Sequence, residues 1–224
     1  MIVTYGPSIE RLNVLRSVIN EGVDIVRLNS KYVEAKEFDL IRKKVVKAGN
    51  VKIMIDVKDR GKIKDWVSKK IDYLAISFAE SAVEVVKIKK MFLKRVKVIS
   101  KIETKKGVSN IDRLIRVSDG VMIARGDLGH DVSFEKVPMI QKMITKKCNK
   151  KKKMSITATE MMSSMVSYIR PSRAEVSDVA NAILEGSEAL MLAEETAVGR
   201  HPILAVKAMI KVILETEKHM KEFR

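Results

Sequence analysis

Two carboxylates and two basic groups stand where chemistry is expected. Glu103 closes the run Lys101-Ile102-Glu103, and Asp127 closes Arg125-Gly126-Asp127. Carboxylates from neighbouring apolar segments offer the oxygen-only ligands that suit Mg²⁺ or Mn²⁺, with water and substrate oxygens completing the coordination. Arg27 and Lys101 suit a phosphate or carboxylate, Arg through its planar fork and Lys as a point charge. Gly126-Asp127-Leu128-Gly129 reads as a turn before a helical region, whose backbone N–H groups make an anion seat. Thr159 carries no charge, and its hydroxyl suits a proton relay in a dry pocket.

Those groups need a scaffold that brings them together. Eight short apolar runs recur along the chain: Ile2–Tyr5, Ile25–Leu28, Val51–Ile55, Tyr73–Phe78, Val96–Ile102, Gly120–Ala124, Ser155–Ala158 and Ala189–Leu192. They are continuous rather than alternating, as strands buried on both faces require. Amphipathic stretches separate them: Ile9–Glu21, Ala35–Ala48, Val83–Leu93, Ile111–Val117, Val137–Cys148, Ala174–Leu184 and Ile203–Glu217, with a short one near Ile63–Lys69. Eight strand–helix units in 224 residues predict an α/β fold, a single (β/α)₈ TIM barrel over 1–224, with a doubly wound open sheet as the alternative. Barrel chemistry sits past the C-terminal strand ends, where Arg27, Asn29, Asp56, Lys58, Lys101, Glu103, Asp127, Thr159, Glu160, Glu194 and Glu195 fall.

Composition narrows the class. The chain is 46% hydrophobic and 32% charged, with 4% aromatics, so Ile, Val, Leu, Met and Ala must build the core. The absence of a long apolar run argues against a membrane span, and the N-terminus does not read as a signal peptide. The single cysteine, Cys148, excludes an internal disulfide and suits a reducing, cytoplasmic location. The net charge is +16. The lysines are spread out, and the one dense run, Lys146-Lys147 with Lys150–Lys153, lacks interleaved aromatics. Nucleic acid is therefore not the expected partner, whereas a positive field draws in small phosphorylated acids.

Several segments resemble pyruvate kinase. These are Lys101-Ile102-Glu103, the stretch Ser118 to Gly129, Ile156-Thr157-Ala158-Thr159-Glu160-Met161-Met162, and Arg170-Pro171-Ser172-Arg173-Ala174-Glu175 followed by Ser177 to Ala182. Tyr5-Gly6-Pro7-Ser8 and Val26-Arg27-Leu28-Asn29 resemble the first two turns of that family's barrel. The resemblance implies that Arg27 binds the transferring phosphoryl group and that Lys101 stabilises its charge. It implies Mg²⁺ (or Mn²⁺) on Glu103 and Asp127. Ala124, Arg125, Gly126 and Asp127 would seat the substrate, and Thr159 would help protonate the enolate carbon. Asn29 and Asp56 match two groups of the family's K⁺ site, and Lys58 matches a basic residue at the mouth of the third strand.

The chain departs from that pattern in three ways. The family's lid domain, expected after the third strand, is replaced by Asp56-Val57-Lys58-Asp59-Arg60-Gly61-Lys62 running into the next helix. No C-terminal regulatory domain is expected after the eighth helix. Lys31 and Val57 stand at two K⁺-ligand positions, Glu80 replaces an arginine, Glu160 a glutamine, and Ala193-Glu194 a Ser-Gly pair. Lys31 either supplies an internal charge in place of K⁺ or points to solvent, as loop lysines usually do.

The resemblance thus implies phosphoenolpyruvate and ADP giving pyruvate and ATP with Mg²⁺, impaired by loss of the lid. Nucleotide-independent enolate chemistry on a 2-oxo acid, or a non-catalytic assembly subunit, are the alternatives. Association into a homo-oligomer through the outer helices is the family expectation.

Overall fold

The computed structural model describes residues 1–93 and 95–223. Eight parallel strands, β1 (Ile2–Thr4), β2 (Ile25–Asn29), β3 (Lys52–Val57), β4 (Tyr73–Ile76), β5 (Lys97–Ile102), β6 (Gly120–Ala124), β7 (Met154–Ala158) and β8 (Ala189–Leu192), close into a barrel in sequence order, with β1 pairing β8. This is the (β/α)₈ barrel, and not the open sheet.

Ten α-helices of the described residues surround it: α1 (Leu12–Asn20), α2 (Phe38–Ala48), α3 (Ala82–Met91), α4 (Lys105–Ser109), α5 (Ile111–Val117), α6 (Arg125–Val132), α7 (Val137–Lys150), α8 (Arg173–Leu184), α9 (Glu194–Ala197) and α10 (Pro202–His219). Local signals fix their ends. Ser172 caps α8 in a reciprocal capping box with Glu175, Ser81 caps α3, and Pro202 opens α10 at a position where no helical N–H is lost. The apolar stripes face the barrel: α1 buries Leu15, Val18 and Ile19.

Two hydrophobic layers result. The larger lies between strands and helices. The smaller fills the barrel itself with Ile2, Ile25, Met54, Tyr73, Ala75, Ile99, Met122, Ile156, Ala158 and Met191. At the N-terminal end of the strands, Asp72 accepts from the Ile53 N–H and Asp119 from the Val98 N–H, each at 2.8 Å. Carboxylates there satisfy strand-end donors that have no ladder partner.

Three details differ from the pattern of the sequence. The short third connection is a 3₁₀ helix over Arg60–Trp66, started by the Asp59 side chain accepting from the Gly61 N–H at 2.9 Å. The Gly126–Gly129 segment is helix rather than turn, because α6 begins at Arg125, directly after β6. The short α4 and α9 were hidden by their length, which carries no full apolar period.

Candidate active site at the strand ends

Side chains alternate along each strand, so every second residue points into the barrel. At the C-terminal ends the inward positions are Thr4, Arg27, Asp56, Ser77, Lys101 and Glu103 on β1 to β5 and the turns that follow. On β6 to β8 they are Ala124, Ala158 and Ala193. One half of the mouth is thus polar and the other is lined by methyl groups, which leaves room beside the polar half.

The polar half forms one continuous buried network. Arg27 donates through Nε (3.0 Å) and Nη2 (2.7 Å) to Oδ2 of Asp56, and through Nη1 to the Thr4 hydroxyl at 2.9 Å. Lys101 Nζ lies 3.0 Å from Asp56 Oδ2, donates to the Ser77 hydroxyl at 2.8 Å, and stands 2.9 Å from Glu103 Oε1. Ser77 donates to Asp56 Oδ1 at 3.1 Å. Burial alone would push the Asp56 carboxyl up, but the Lys101 and Arg27 charges outweigh it and hold it at about 2. Glu103 behaves oppositely. Burial is the largest influence and raises it above the usual carboxylate range, against the lowering effects of Lys101 and the Phe78 N–H.

Glu103 and Asp127 come from adjacent strands. Ile102 pairs with Ile123, so Glu103 leaves β5 beside Ala124, and Asp127 follows in the first turn of α6. Glu103 is buried, with Oε2 accepting from the Phe78 N–H. Asp127 is exposed and, among the described residues, has no side-chain hydrogen bond or ion pair. It lines a cavity of about 330 Å³ with Gly126, Thr159, Glu160, Ala193 and Glu194. Each Glu103 oxygen keeps a second lone pair beyond its present partner. Glu103 and Asp127 leave adjacent strand ends and offer oxygen ligands of the kind a hard divalent ion takes, with Asp127 facing the cavity.

The same test goes the other way for a monovalent cation. Both Asp56 oxygens already accept from Arg27, Lys101 and Ser77, and Asn29 Oδ1 accepts from the Lys31 N–H at 3.0 Å. Lys31 and Val57 offer no hydroxyl ligand. These residues do not fit K⁺. Nor does the Lys31 ammonium replace it at Asp56: Lys31 is exposed, with Nζ 5.2 Å from the Tyr32 ring centroid. Lys58 is also exposed, with its ammonium 5.2 Å from the Phe78 ring.

Thr159 and Arg125 act together. Thr159 and Glu160 both have left-handed backbones, φ 67° and 54°. Two consecutive non-glycine residues hold that conformation only under outside constraint. Arg125 supplies it: Nε and Nη2 donate to the Thr159 carbonyl at 3.1 and 2.8 Å, and Nη2 also to the Glu160 carbonyl at 2.8 Å. Asp178 fixes the other side of the guanidinium at 2.7 Å. The Arg125 side chain is therefore turned to the β7 turn. The Thr159 hydroxyl donates to the Ala158 carbonyl at 2.6 Å and accepts from the Gly126 N–H at 2.9 Å. The first-turn N–H groups of α6 without an intrahelical acceptor are those of Arg125, Gly126 and Asp127, and Gly126 already donates to Thr159.

Thr4, Ser77 and the Phe78 N–H were not singled out from the sequence. Their signal was positional, the last inward residue of β1 and the residues just past β4, rather than chemical.

A family model described as pyruvate kinase, barrel domain, matches residues 32–206. The chain belongs to the pyruvate kinase family. It is 39% identical over 235 residues to pyruvate kinase of Geobacillus stearothermophilus, covering 98% of this chain and 40% of that protein. Pyruvate kinase of Thermotoga maritima is 45% identical over 170 residues, 75% of this chain and 36% of the relative. That of Methanocaldococcus jannaschii is 44% identical over 173 residues, 76% and 39%. The chain thus spans at most about 40% of the length of these pyruvate kinases. No helix of the described residues is long and apolar enough to cross a membrane.

Proposed function

We propose that the mouth of this barrel transfers the phosphoryl group of phosphoenolpyruvate to ADP, giving pyruvate and ATP. The observation that carries the reading is the buried Arg27–Asp56–Lys101–Glu103 network facing an alanine-lined opening. Two buried cations held at fixed places by a shared carboxylate are pre-organised to receive a phosphoryl group. Phosphoryl transfer depends mainly on such positioning and charge neutralisation.

Glu103 and Asp127 would hold the divalent ion, Mg²⁺ or Mn²⁺. When bound, that ion supplies the positive charge that stabilises an enolate oxygen. The chain's own groups do the rest. Arg27 turns part of its fork from Asp56 to the phosphoryl oxygens. Lys101 neutralises charge as the phosphoryl group leaves the enol oxygen. The first turn of α6 takes the substrate carboxylate through backbone N–H groups. Thr159 swings its hydroxyl from the Ala158 carbonyl to the cavity and relays a proton from solvent water there to the enolate carbon, taking up one as it gives one and completing pyruvate.

A second reading is nucleotide-independent: decarboxylation of oxaloacetate or enolisation of pyruvate at the same metal site. One observation favours it. The connection from β3 to β4, residues 58–72, holds a single 3₁₀ helix and nothing that would close over a nucleotide. Poorer water exclusion weakens transfer to ADP more than it weakens proton transfer. We further propose that 1–224 acts as one barrel unit that associates with copies of itself.

A coupled assay separates the readings. Pyruvate formed from phosphoenolpyruvate only with ADP and Mg²⁺, and abolished in Asp127→Ala, supports phosphotransfer. Turnover of oxaloacetate but not phosphoenolpyruvate supports the second reading. Neither activity overturns both.

A further inference from the structure

We infer that Arg60 is a positioning residue for Glu103, acting through the peptide of Phe78. The inference rests on the reading of Glu103 as a divalent-metal ligand.

β4 ends at Ile76, and the next two residues both serve the mouth. Ser77 does so through its hydroxyl, which joins Lys101 and Asp56. Phe78 does so through its N–H, which donates to Glu103 Oε2. In an extended strand successive groups point to opposite sides. Phe78 serves the mouth beside Ser77 with a left-handed backbone, φ 51°. For a bulky residue that conformation is an outlier that persists only where the surroundings over-determine it.

The surroundings here are specific. The Phe78 carbonyl accepts from Arg60 Nη2 at 3.2 Å. The Lys58 ammonium sits 5.2 Å from the Phe78 ring centroid. The following N–H, of Ala79, is held by the Lys101 carbonyl at 3.1 Å. Arg60 is itself fixed by Glu84, Nε to Oε1 at 2.7 Å. The chain of contacts therefore runs Glu84–Arg60–Phe78–Glu103.

At its far end the two Glu103 oxygens are held from different sides, Oε1 by Lys101 and Oε2 by Phe78. Two fixed contacts set the plane of a carboxylate. Removing one frees its terminal torsion, which is soft. Arg60 lies in the short β3–β4 connection, so this connection orients a metal-binding group rather than covering the site. Groups that orient a metal ligand without touching the ion typically change affinity by 10- to 100-fold.

The test is Mn²⁺ binding to the full chain, read from the electron paramagnetic resonance of free Mn²⁺, below the melting temperature of each variant. Arg60→Ala is expected to raise the Mn²⁺ Kd about tenfold. Arg60→Lys stays weakened, because an ammonium cannot span Glu84 and the Phe78 carbonyl as the fork does. Glu84→Gln, which keeps Arg60 but loosens it, moves in the same direction by about threefold. Arg60→Ala combined with Glu103→Gln binds no worse than Glu103→Gln alone. A merely structural Arg60 would lower the melting temperature and leave the Kd unchanged. If Arg60→Ala binds Mn²⁺ as wild type does while Glu103→Gln and Asp127→Ala lose it, the inference is wrong and the metal reading stands. If Glu103→Gln and Asp127→Ala also bind as wild type does, both are wrong.

Discussion

Both guanidinium contacts from Arg27 converge on one oxygen of Asp56, Nε at 3.0 Å and Nη2 at 2.7 Å. Ser77 donates to the other oxygen, and Lys101 reaches both, 3.2 Å from Oδ1 and 3.0 Å from Oδ2. Asp56 thereby compensates two buried cations at once. Asp56→Ala would leave Arg27 without a counter-charge and Lys101 with Glu103 alone, and breaking a buried pair this way costs about 3–5 kcal/mol. Urea unfolding should show a loss of that size. A loss under about 1 kcal/mol would mean that the network contributes little to the fold.

The same carboxylate sets an acid limit. Its folded value of about 2 lies below the ordinary aspartate value of about 4. A depressed group stabilises the fold above its unfolded value, and that contribution is lost as pH falls through the folded one. Melting temperatures of wild type should therefore fall between pH 4 and 2 more steeply than those of Asp56→Asn. Parallel curves for the two proteins would contradict this.

Arg125 holds two strained residues, so its loss should reach the reaction through Thr159. Arg125→Lys keeps the charge but cannot contact the Thr159 and Glu160 carbonyls and Asp178 together. Pyruvate formation should drop at least about tenfold in kcat with a smaller change in KM, consistent with lost positioning of the proton-relay hydroxyl. An unchanged kcat would return Arg125 to a purely packing role.

Asp56 already has two internal cations, so replacing K⁺ by Na⁺ or by tetramethylammonium at equal ionic strength should change turnover by less than about twofold. A strict K⁺ requirement would show that Arg27 and Lys101 move aside on substrate binding and reopen the position at Asp56.

The sequence made the barrel legible because each strand is buried on both faces and reads as an uninterrupted apolar run, as Gly120–Ala124 and Ala189–Leu192 do to the residue. Charged groups at strand ends were equally visible, since a charge closing an apolar run is a strong local contrast. Pairing was not visible. Nothing local says that Arg27 and Lys101 meet on Asp56, residues 29 and 45 positions apart from it. Backbone conformation was hidden too. The left-handed Phe78, Thr159 and Glu160 carry no glycine or asparagine to signal them, because Arg60 and Arg125 enforce those turns from elsewhere in the chain. Arg125 itself was expected at the substrate seat on its neighbours' account. Its side chain instead reaches the turn after β7.

The central claim is that Glu103 and Asp127 grip one hard cation at the barrel mouth. Crystals soaked in Mn²⁺, measured at a wavelength where manganese scatters anomalously, test it directly. One anomalous peak within ligand distance of both carboxylates is the predicted result, at about 2.0–2.3 Å from an oxygen of each. A saturated crystal with no peak there, and Lys101 still seated on Glu103, would contradict it.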